Sequence, residues 1–246
     1  MSLDKKNISA VLLVGGMGTR LRSVVPNAPK PLATVGDKSF LELLVRQLSS
    51  QGISRLVMCT GYLADQIAQH FGAGHKWDVS IQYSQELQPL GTAGAVKLAQ
   101  SFLKSASEFL VMNGDSFMEV DLDRLLQFHR ENHALVTMAV RRVDNASRYG
   151  TVHLEAEGRV TGFAEKTGQE TPGVVNAGVY VFNQEVLQNI PEGPCSLEKD
   201  VFPKLLKRGV FALEQQGVFI DIGTPEDYAR AQEICDRLYA AASLKQ

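Results

Sequence analysis

The stretch Ile8-Ser9-Ala10-Val11-Leu12-Leu13-Val14-Gly15-Gly16-Met17-Gly18-Thr19-Arg20-Leu21, followed by Pro29-Lys30-Pro31, decides how this chain is read. Ile8 to Val14 is a short apolar run, the length and composition of a strand buried on both faces. It stops at three glycines in four positions, Gly15, Gly16 and Gly18. Glycines let the backbone approach a ligand closely and turn successive N–H groups toward an anion. Arg20 and Lys30 add two cations nearby. The stretch predicts a polyphosphate cradle made by Gly15, Gly16, Gly18, Thr19, Arg20 and Lys30.

Two better-known phosphate loops do not fit. A P-loop requires G-x-x-x-x-G-K-[ST], which the chain lacks. The dinucleotide fingerprint requires a third glycine for close helix–strand packing, and Leu21 stands there. Such a chain would also carry an acidic ribose ligand after its second strand, where this one has Cys59-Thr60-Gly61. A nicotinamide-dependent oxidoreductase is therefore disfavoured.

Bulk properties narrow the class further. With 246 residues, 44% hydrophobic and 21% charged, the chain suits one globular unit with a sizeable core. A net charge of -2 supplies no field for nucleic acid or an anionic membrane, so neither partner is expected. No apolar run is long enough to span a bilayer, and Met1-Ser2-Leu3-Asp4-Lys5-Lys6 does not resemble a signal peptide. Cys59, Cys195 and Cys235 are odd in number and far apart, which fits a reducing cytoplasm better than a disulfide or metal framework.

Apolar runs alternate with amphipathic stretches, predicting an α/β fold with a largely parallel sheet. Ser39 caps a helix carrying Phe40, Leu41, Leu44, Val45 and Leu48, and Gly52 ends it. Strands are expected at 55–60, around 79–83 and at 109–112, helices at 62–71 and 92–103. The 109–112 strand runs into Asn113-Gly114-Asp115, and parallel strands place ligands at such ends. The second half is strand-rich: 135–141, 149–154, 160–165 and 174–182, with Glu157-Gly158 as a hairpin turn. A short strand, Val218-Phe219-Ile220, precedes Asp221, and helices are expected at 199–207 and 225–241. No repeat or linker is evident, so a single domain over 1–246 is expected, with halves at about 8–120 and 121–240.

Gly-Gly-x-Gly-Thr-Arg-Leu followed by Pro-Lys-Pro resembles the signature of the sugar-1-phosphate nucleotidyltransferases, and the likeness extends from about Ile8 to Tyr228. It is nearest the short guanylyltransferases acting on D-glycero-α-D-manno-heptose 1-phosphate, with the mannose-1-phosphate enzymes next. The resemblance implies a Rossmann-like, mixed but mostly parallel sheet flanked by helices, its first half binding nucleotide and its second half sugar phosphate. It also implies transfer of a nucleotidyl group from a triphosphate, GTP by preference, to a sugar 1-phosphate, with Mg²⁺ as cofactor. Glucose-1-phosphate thymidylyl- or uridylyltransferases are alternatives within the family, and a non-catalytic sugar-nucleotide sensor is one outside its chemistry.

Site residues follow from the same likeness. Asp115 and Asp221, the latter in Asp-Ile-Gly-Thr-Pro, match the two metal-binding aspartates. Mg²⁺ is commonly held by one or two carboxylates together with substrate phosphates. Arg20 and Lys30 grip the triphosphate. Lys166 matches the lysine that binds the sugar's phosphate, and Glu165 the carboxylate that accepts its hydroxyls. Asn113, Tyr149, Gly150 and Asn176 complete the sugar pocket. The run from Ser84 to Gly94 resembles the guanylyltransferase pattern, in which Glu86 accepts guanine N1–H and its 2-amino group, with the backbone N–H groups of Gly91 and Thr92 toward base and ribose. Glu198, Asp200 and Asp227 read only as charges at helix starts.

Overall fold

The computed structural model describes residues 5–26, 28–103, 107–164, 168 and 170–243. Strand β1 (Ser9–Leu13) leads through the glycine loop to a small ribbon, β2 (Thr34–Val35) and β3 (Lys38–Ser39), and then helix α1 (Phe40–Ser50). The α1 start follows the capping expectation: Ser39 Oγ accepts from Glu42 N–H. Its end is a Schellman turn, in which Gly52 N–H donates to Ser49 O and Ile53 N–H to Leu48 O. The positive φ of 84° at Gly52 makes that turn possible.

Next come β4 (Arg55–Thr60), α2 (Ala64–Phe71), β5 (Ser80–Gln85), α3 (Gly91–Leu98) and β6 (Glu108–Asn113). The second half comprises β7 (Ser116–Met118), α4 (Leu122–Glu131), β8 (Val136–Val143), β9 (Thr151–Leu154), β10 (Val160–Ala164) and β11 (Gly173–Asn183), then α5 (Phe202–Gly209), β12 (Val210–Glu214), β13 (Phe219–Asp221), α6 (Pro225–Glu233) and α7 (Cys235–Ala242).

The main sheet has the order β10-β9-β11-β6-β1-β4-β5, and β8 joins β12 to β11. The pairings make β1, β4, β5, β6, β8, β9 and β12 run in one sense, with β10 and β11 opposed. The sheet is thus mixed and mostly parallel, as expected. Period-2 alternation sorts its side chains into two cores. Ala10, Leu12, Leu110 and Met112 pack on one face with Leu41, Leu44 and Leu48 of α1 and Leu238 of α7. Val11, Val57, Phe109 and Val111 pack on the other with Ala93 and Val96 of α3 and Phe202 and Leu205 of α5. Helices on both faces are what a parallel sheet requires.

Several boundaries differ from the sequence expectation. The helix expected at 225–241 breaks at Ile234, whose φ of -107° leaves the helical range, and α7 then packs into the α1 core. The helix expected at 199–207 begins instead with a wide turn over Leu197–Val201 before α5. Helix α4 and strand β12 lie outside the sequence expectation, although Asp121 caps α4 and Leu122, Leu125, Leu126 and His129 bury one face of it at helical spacing. Positive φ at Glu157 (62°) and Gly158 (78°) confirms the turn between β9 and β10.

Candidate active site

The site grows from the ends of two neighbouring strands. β1 and β6 pair in parallel with Leu13 opposite Asn113, so the glycine loop and Gly114-Asp115 emerge side by side. A three-residue ribbon then delivers the second carboxylate: β7 pairs antiparallel with β13, Asp221 opposite Ser116, and Ile222 N–H donates to Asp115 O at 3.0 Å. Lys30 enters from the facing side in a 3₁₀ turn, Lys30–Leu32, whose backbone is restrained by Pro29 and Pro31. Gly18 sits at φ 57°, and a Cβ there would come within 2.8 Å of Lys30 Cβ. A glycine is needed for the loop to close over the lysine.

Lys30 is only 9% exposed, with its ammonium 2.8 Å from Asp115 Oδ2 and 4.0 Å from Asp221 Oδ1. Burial raises the Asp221 carboxyl above the usual aspartate range, and the Asp115 charge adds to the shift; Lys30 and the Gly223 N–H oppose it. A net preference for extra positive charge remains at this point. Among the described residues no group of three or more histidine, cysteine or acidic side chains forms a metal cage. Two carboxylates converging on one cation are the donor set that suits Mg²⁺ shared with phosphates and water.

Two cavities meet here. A small one, about 170 Å³, is lined by Gly16, Gly18, Thr19, Arg20, Lys30 and Asp115. A larger one, about 890 Å³, is lined by Asn113, Tyr149, Gly150, Asn176 and Asp221, among others. Arg20 and Gly223 border both. The residues expected around phosphates and those expected around sugar therefore separate into adjoining spaces, with the aspartates at the junction. The Arg20 side chain has no ion-pair or hydrogen-bond partner among the described residues. Arg22, in contrast, lies over the Tyr62 ring at 5.0 Å. Glu165 and Lys166 lie outside the described residues.

Glu86, Gly91 and Thr92 line neither of these cavities. The Glu86 carboxyl lies beside the start of the glycine loop: a Cβ on Gly15 would approach Glu86 Oε1 to 2.8 Å. Its other oxygen accepts from Leu90 N–H at 3.2 Å, and burial holds its pKa above the usual range. Thr92 is already engaged. Its hydroxyl accepts from Leu197 N–H at 2.8 Å and donates to Glu198 Oε2 at 3.2 Å.

Glu198 plays a larger part than a helix-start charge. It lines the large cavity and also accepts from Tyr180 Oη at 3.2 Å. Tyr180 is fully buried and its pKa lies well above the usual tyrosine value, so it stays a donor. Asn176 Nδ2 donates to Tyr180 Oη at 2.7 Å, while Asn176 Oδ1 accepts from Gly178 N–H at 3.0 Å. Asn113 Oδ1, by contrast, is buried without a hydrogen-bond partner among the described residues. Arg148 and Asp227, also on the large cavity, form an ion pair. In the sequence Arg148 only adjoins Tyr149-Gly150, and Asp227 reads as a first-turn charge, the place it takes in α6.

Known proteins resemble this chain along most of its length. D-glycero-alpha-D-manno-heptose 1-phosphate guanylyltransferase from Aneurinibacillus thermoaerophilus is 38% identical over 230 residues, 92% of this chain and 97% of that protein. Mannose-1-phosphate guanylyltransferase from Mycobacterium tuberculosis is 37% identical over 227 residues, 91% of this chain but 63% of that protein, so the chain spans under two-thirds of that relative. The crystal structure of HddC from Yersinia pseudotuberculosis complexed with GMP-PN matches with a TM-score of 0.82 at 32% identity, covering 92% of this chain and 98% of HddC. The profile of the nucleotidyl transferase family covers residues 9–237, from the first strand into the last helix, and the chain belongs to that family.

Proposed function

We propose that this chain is a guanylyltransferase that joins the GMP part of GTP to a sugar 1-phosphate, with D-glycero-α-D-manno-heptose 1-phosphate as the acceptor and mannose 1-phosphate the second choice. The observation that carries this reading is the junction of the two cavities, where Lys30, Asp115, Asp221 and Arg20 meet. The near full-length match to a heptose 1-phosphate guanylyltransferase and the GMP-PN complex of HddC favour guanine and heptose. The product would be an activated sugar for surface polysaccharide. Free cysteines, two of them buried, accord with a cytoplasmic setting. Among the described residues no helix is long and apolar enough to cross a membrane. We treat 1–246 as one catalytic domain with a nucleotide half and a sugar half.

In the reaction a phosphate oxygen of the sugar 1-phosphate attacks the α-phosphorus of GTP. The bond from that phosphorus to the bridging oxygen breaks, and pyrophosphate leaves with the electron pair. A phosphate monoester has a second pKa of about 6, so the nucleophile needs no general base. The protein's task is to align two polyanions and offset their repulsion. Glycine-loop N–H groups and Lys30 hold the triphosphate, and Arg20 binds the departing pyrophosphate through its fork. Asp115 and Asp221 would hold Mg²⁺, which when bound neutralises phosphate charge. The unpartnered Asn113 acceptor and the Tyr149–Gly150 wall receive the sugar, with Glu165 and Lys166 assigned to its hydroxyls and phosphate.

The test is pyrophosphate release from four nucleoside triphosphates against heptose, mannose and glucose 1-phosphates. GTP with the heptose or mannose ester should dominate; a preference for UTP or dTTP would refute the base assignment. Tight nucleotide binding with no release from any pair would instead support a sensor. Glu86→Gln should raise KM for GTP by about 10–100-fold, since a charge-assisted hydrogen bond contributes roughly 1.5–3 kcal/mol. An unchanged GTP-to-ATP preference would remove Glu86 from base recognition.

A further inference from the structure

We propose that Arg148 is a positioning residue for the sugar phosphate, fastening the Tyr149–Gly150 wall of the large cavity to the segment that carries Asp221. This rests on the reading of that cavity as the sugar site. The Arg148 guanidinium grips Asp227 with both terminal nitrogens: Nη1 donates to Oδ1 at 3.3 Å, and Nη2 donates to Oδ2. Nη2 also donates to Thr224 Oγ1 at 2.7 Å. Thr224 in turn caps α6, accepting from Asp227 N–H at 3.3 Å, and its hydroxyl donates to Asp227 Oδ2 at 3.1 Å.

The Asp227 side chain is 8% exposed and that of Arg148 47%, so the acceptor is fixed in the fold and the arginine docks onto it. One residue along, the Tyr149 ring packs on Phe219 of β13 with centroids 5.7 Å apart. Fork and ring thus seat the 148–150 segment on both sides of Asp221, on Phe219 before it and on Thr224 and Asp227 after it. The distance between sugar wall and catalytic carboxylate is set by these contacts. A displacement of about 1 Å at such a wall can cost about 100-fold in rate. Lysine keeps the charge but presents a single point donor in place of the fork, so it should not substitute.

Arg148→Lys and Asp227→Asn should each raise the KM for the sugar 1-phosphate at least tenfold and lower kcat. KM for GTP should stay within about twofold, because the glycine loop is untouched. The double variant should be no worse than either single one. Calorimetric binding of mannose 1-phosphate and of D-glycero-α-D-manno-heptose 1-phosphate is measured alongside, and the stronger ligand should lose at least tenfold in affinity in each variant. Melting curves identify any variant that fails to fold; Arg148→Lys leaves Asp227 untouched and serves if Asp227→Asn does. Unchanged sugar KM and affinity in Arg148→Lys would overturn the proposal. So would a loss in Arg148→Lys with none in a folded Asp227→Asn, which marks direct contact with the ligand, or the absence of sugar-phosphate binding by the wild type. Failure of the wild type to release pyrophosphate while still binding sugar phosphate would refute the proposed reaction alone, and the affinities would then judge Arg148.

Discussion

Asp221→Asn is expected to abolish pyrophosphate release and to raise the melting temperature of the ligand-free protein. The two effects share one cause. The Asp221 carboxyl is held above its usual range, first by burial and then by the Asp115 charge, with Lys30 only partly compensating. The folded state therefore binds the Asp221 proton more tightly than the unfolded state. By linkage, this group favours folding at low pH, and that contribution is lost as pH rises through the unfolded and then the folded pKa. At neutral pH the ionised carboxylate is a net cost. Asparagine removes the charge and keeps Oδ1 as acceptor for the Gly223 N–H.

The Asp221 side chain is 33% exposed, so solvent screening limits the gain. A rise of about 2–4 °C is expected, which corresponds to about 1 kcal/mol in a chain of this size. Turnover should fall by about 10³-fold or more, the scale seen when a group aimed at developing charge is removed. Asp115→Asn should lose turnover similarly but shift stability the other way. Asp115 is the nearer partner of the buried Lys30, at 2.8 Å against 4.0 Å, and its loss leaves that ammonium poorly matched. Melting curves and pyrophosphate assays on both variants check this. Equal signs in the two stability changes would contradict the electrostatics argued here, and near-normal turnover of Asp221→Asn would remove Asp221 from the reaction.

The parts of this site legible in the sequence are those encoded locally. Ile8 to Val14 has the composition of an interior strand and holds β1, and Gly16, Gly18 and Arg20, which follow it, line the small cavity. Asp115 stands three residues past the Phe109–Met112 run and Asp221 directly after Val218-Phe219-Ile220, but it is the family likeness of their motifs that marks them as metal ligands. What places them together is the β7–β13 ribbon, and strands of three residues are too short for periodicity to reveal. A similar limit hid the Arg148–Asp227 pair, whose partners stand 79 residues apart in the chain. Thr92 shows the converse. Its backbone N–H at the start of α3 is what the sequence offers to base or ribose, while its hydroxyl goes to Leu197 and Glu198, partners distant in sequence. Spacing can reveal a residue's setting but not which partner in the folded chain reaches it first.

Lys30→Met should lower turnover by about 10³-fold and make the stability of the protein respond strongly to divalent cations. Methionine is unbranched and of similar length, so the packing of the side-chain stem beneath Gly18 is largely kept. What disappears is the ammonium between Asp115 and Asp221. Those carboxylates then face each other across a partly buried gap, and their repulsion should lower the melting temperature without metal. A divalent ion that binds only the folded state, at free concentration c, raises stability by RT ln(1 + c/Kd), so the tighter site gains more at the same concentration. In the wild type that ion must displace or share the site with Lys30; in the variant it meets two unpaired carboxylates. Added MgCl₂ should therefore raise the melting temperature more in Lys30→Met than in the wild type. Mn²⁺ titrated without nucleotide, followed by electron paramagnetic resonance, should bind the variant more tightly. The same lysine that holds the carboxylates together before catalysis would then move onto the triphosphate as metal and nucleotide arrive together, so turnover cannot recover when the metal is supplied in excess. Equal responses of the two proteins to Mg²⁺ and Mn²⁺ would show that ammonium and metal do not compete for Asp115 and Asp221, and would separate the phosphate-binding role of Lys30 from any role in metal loading.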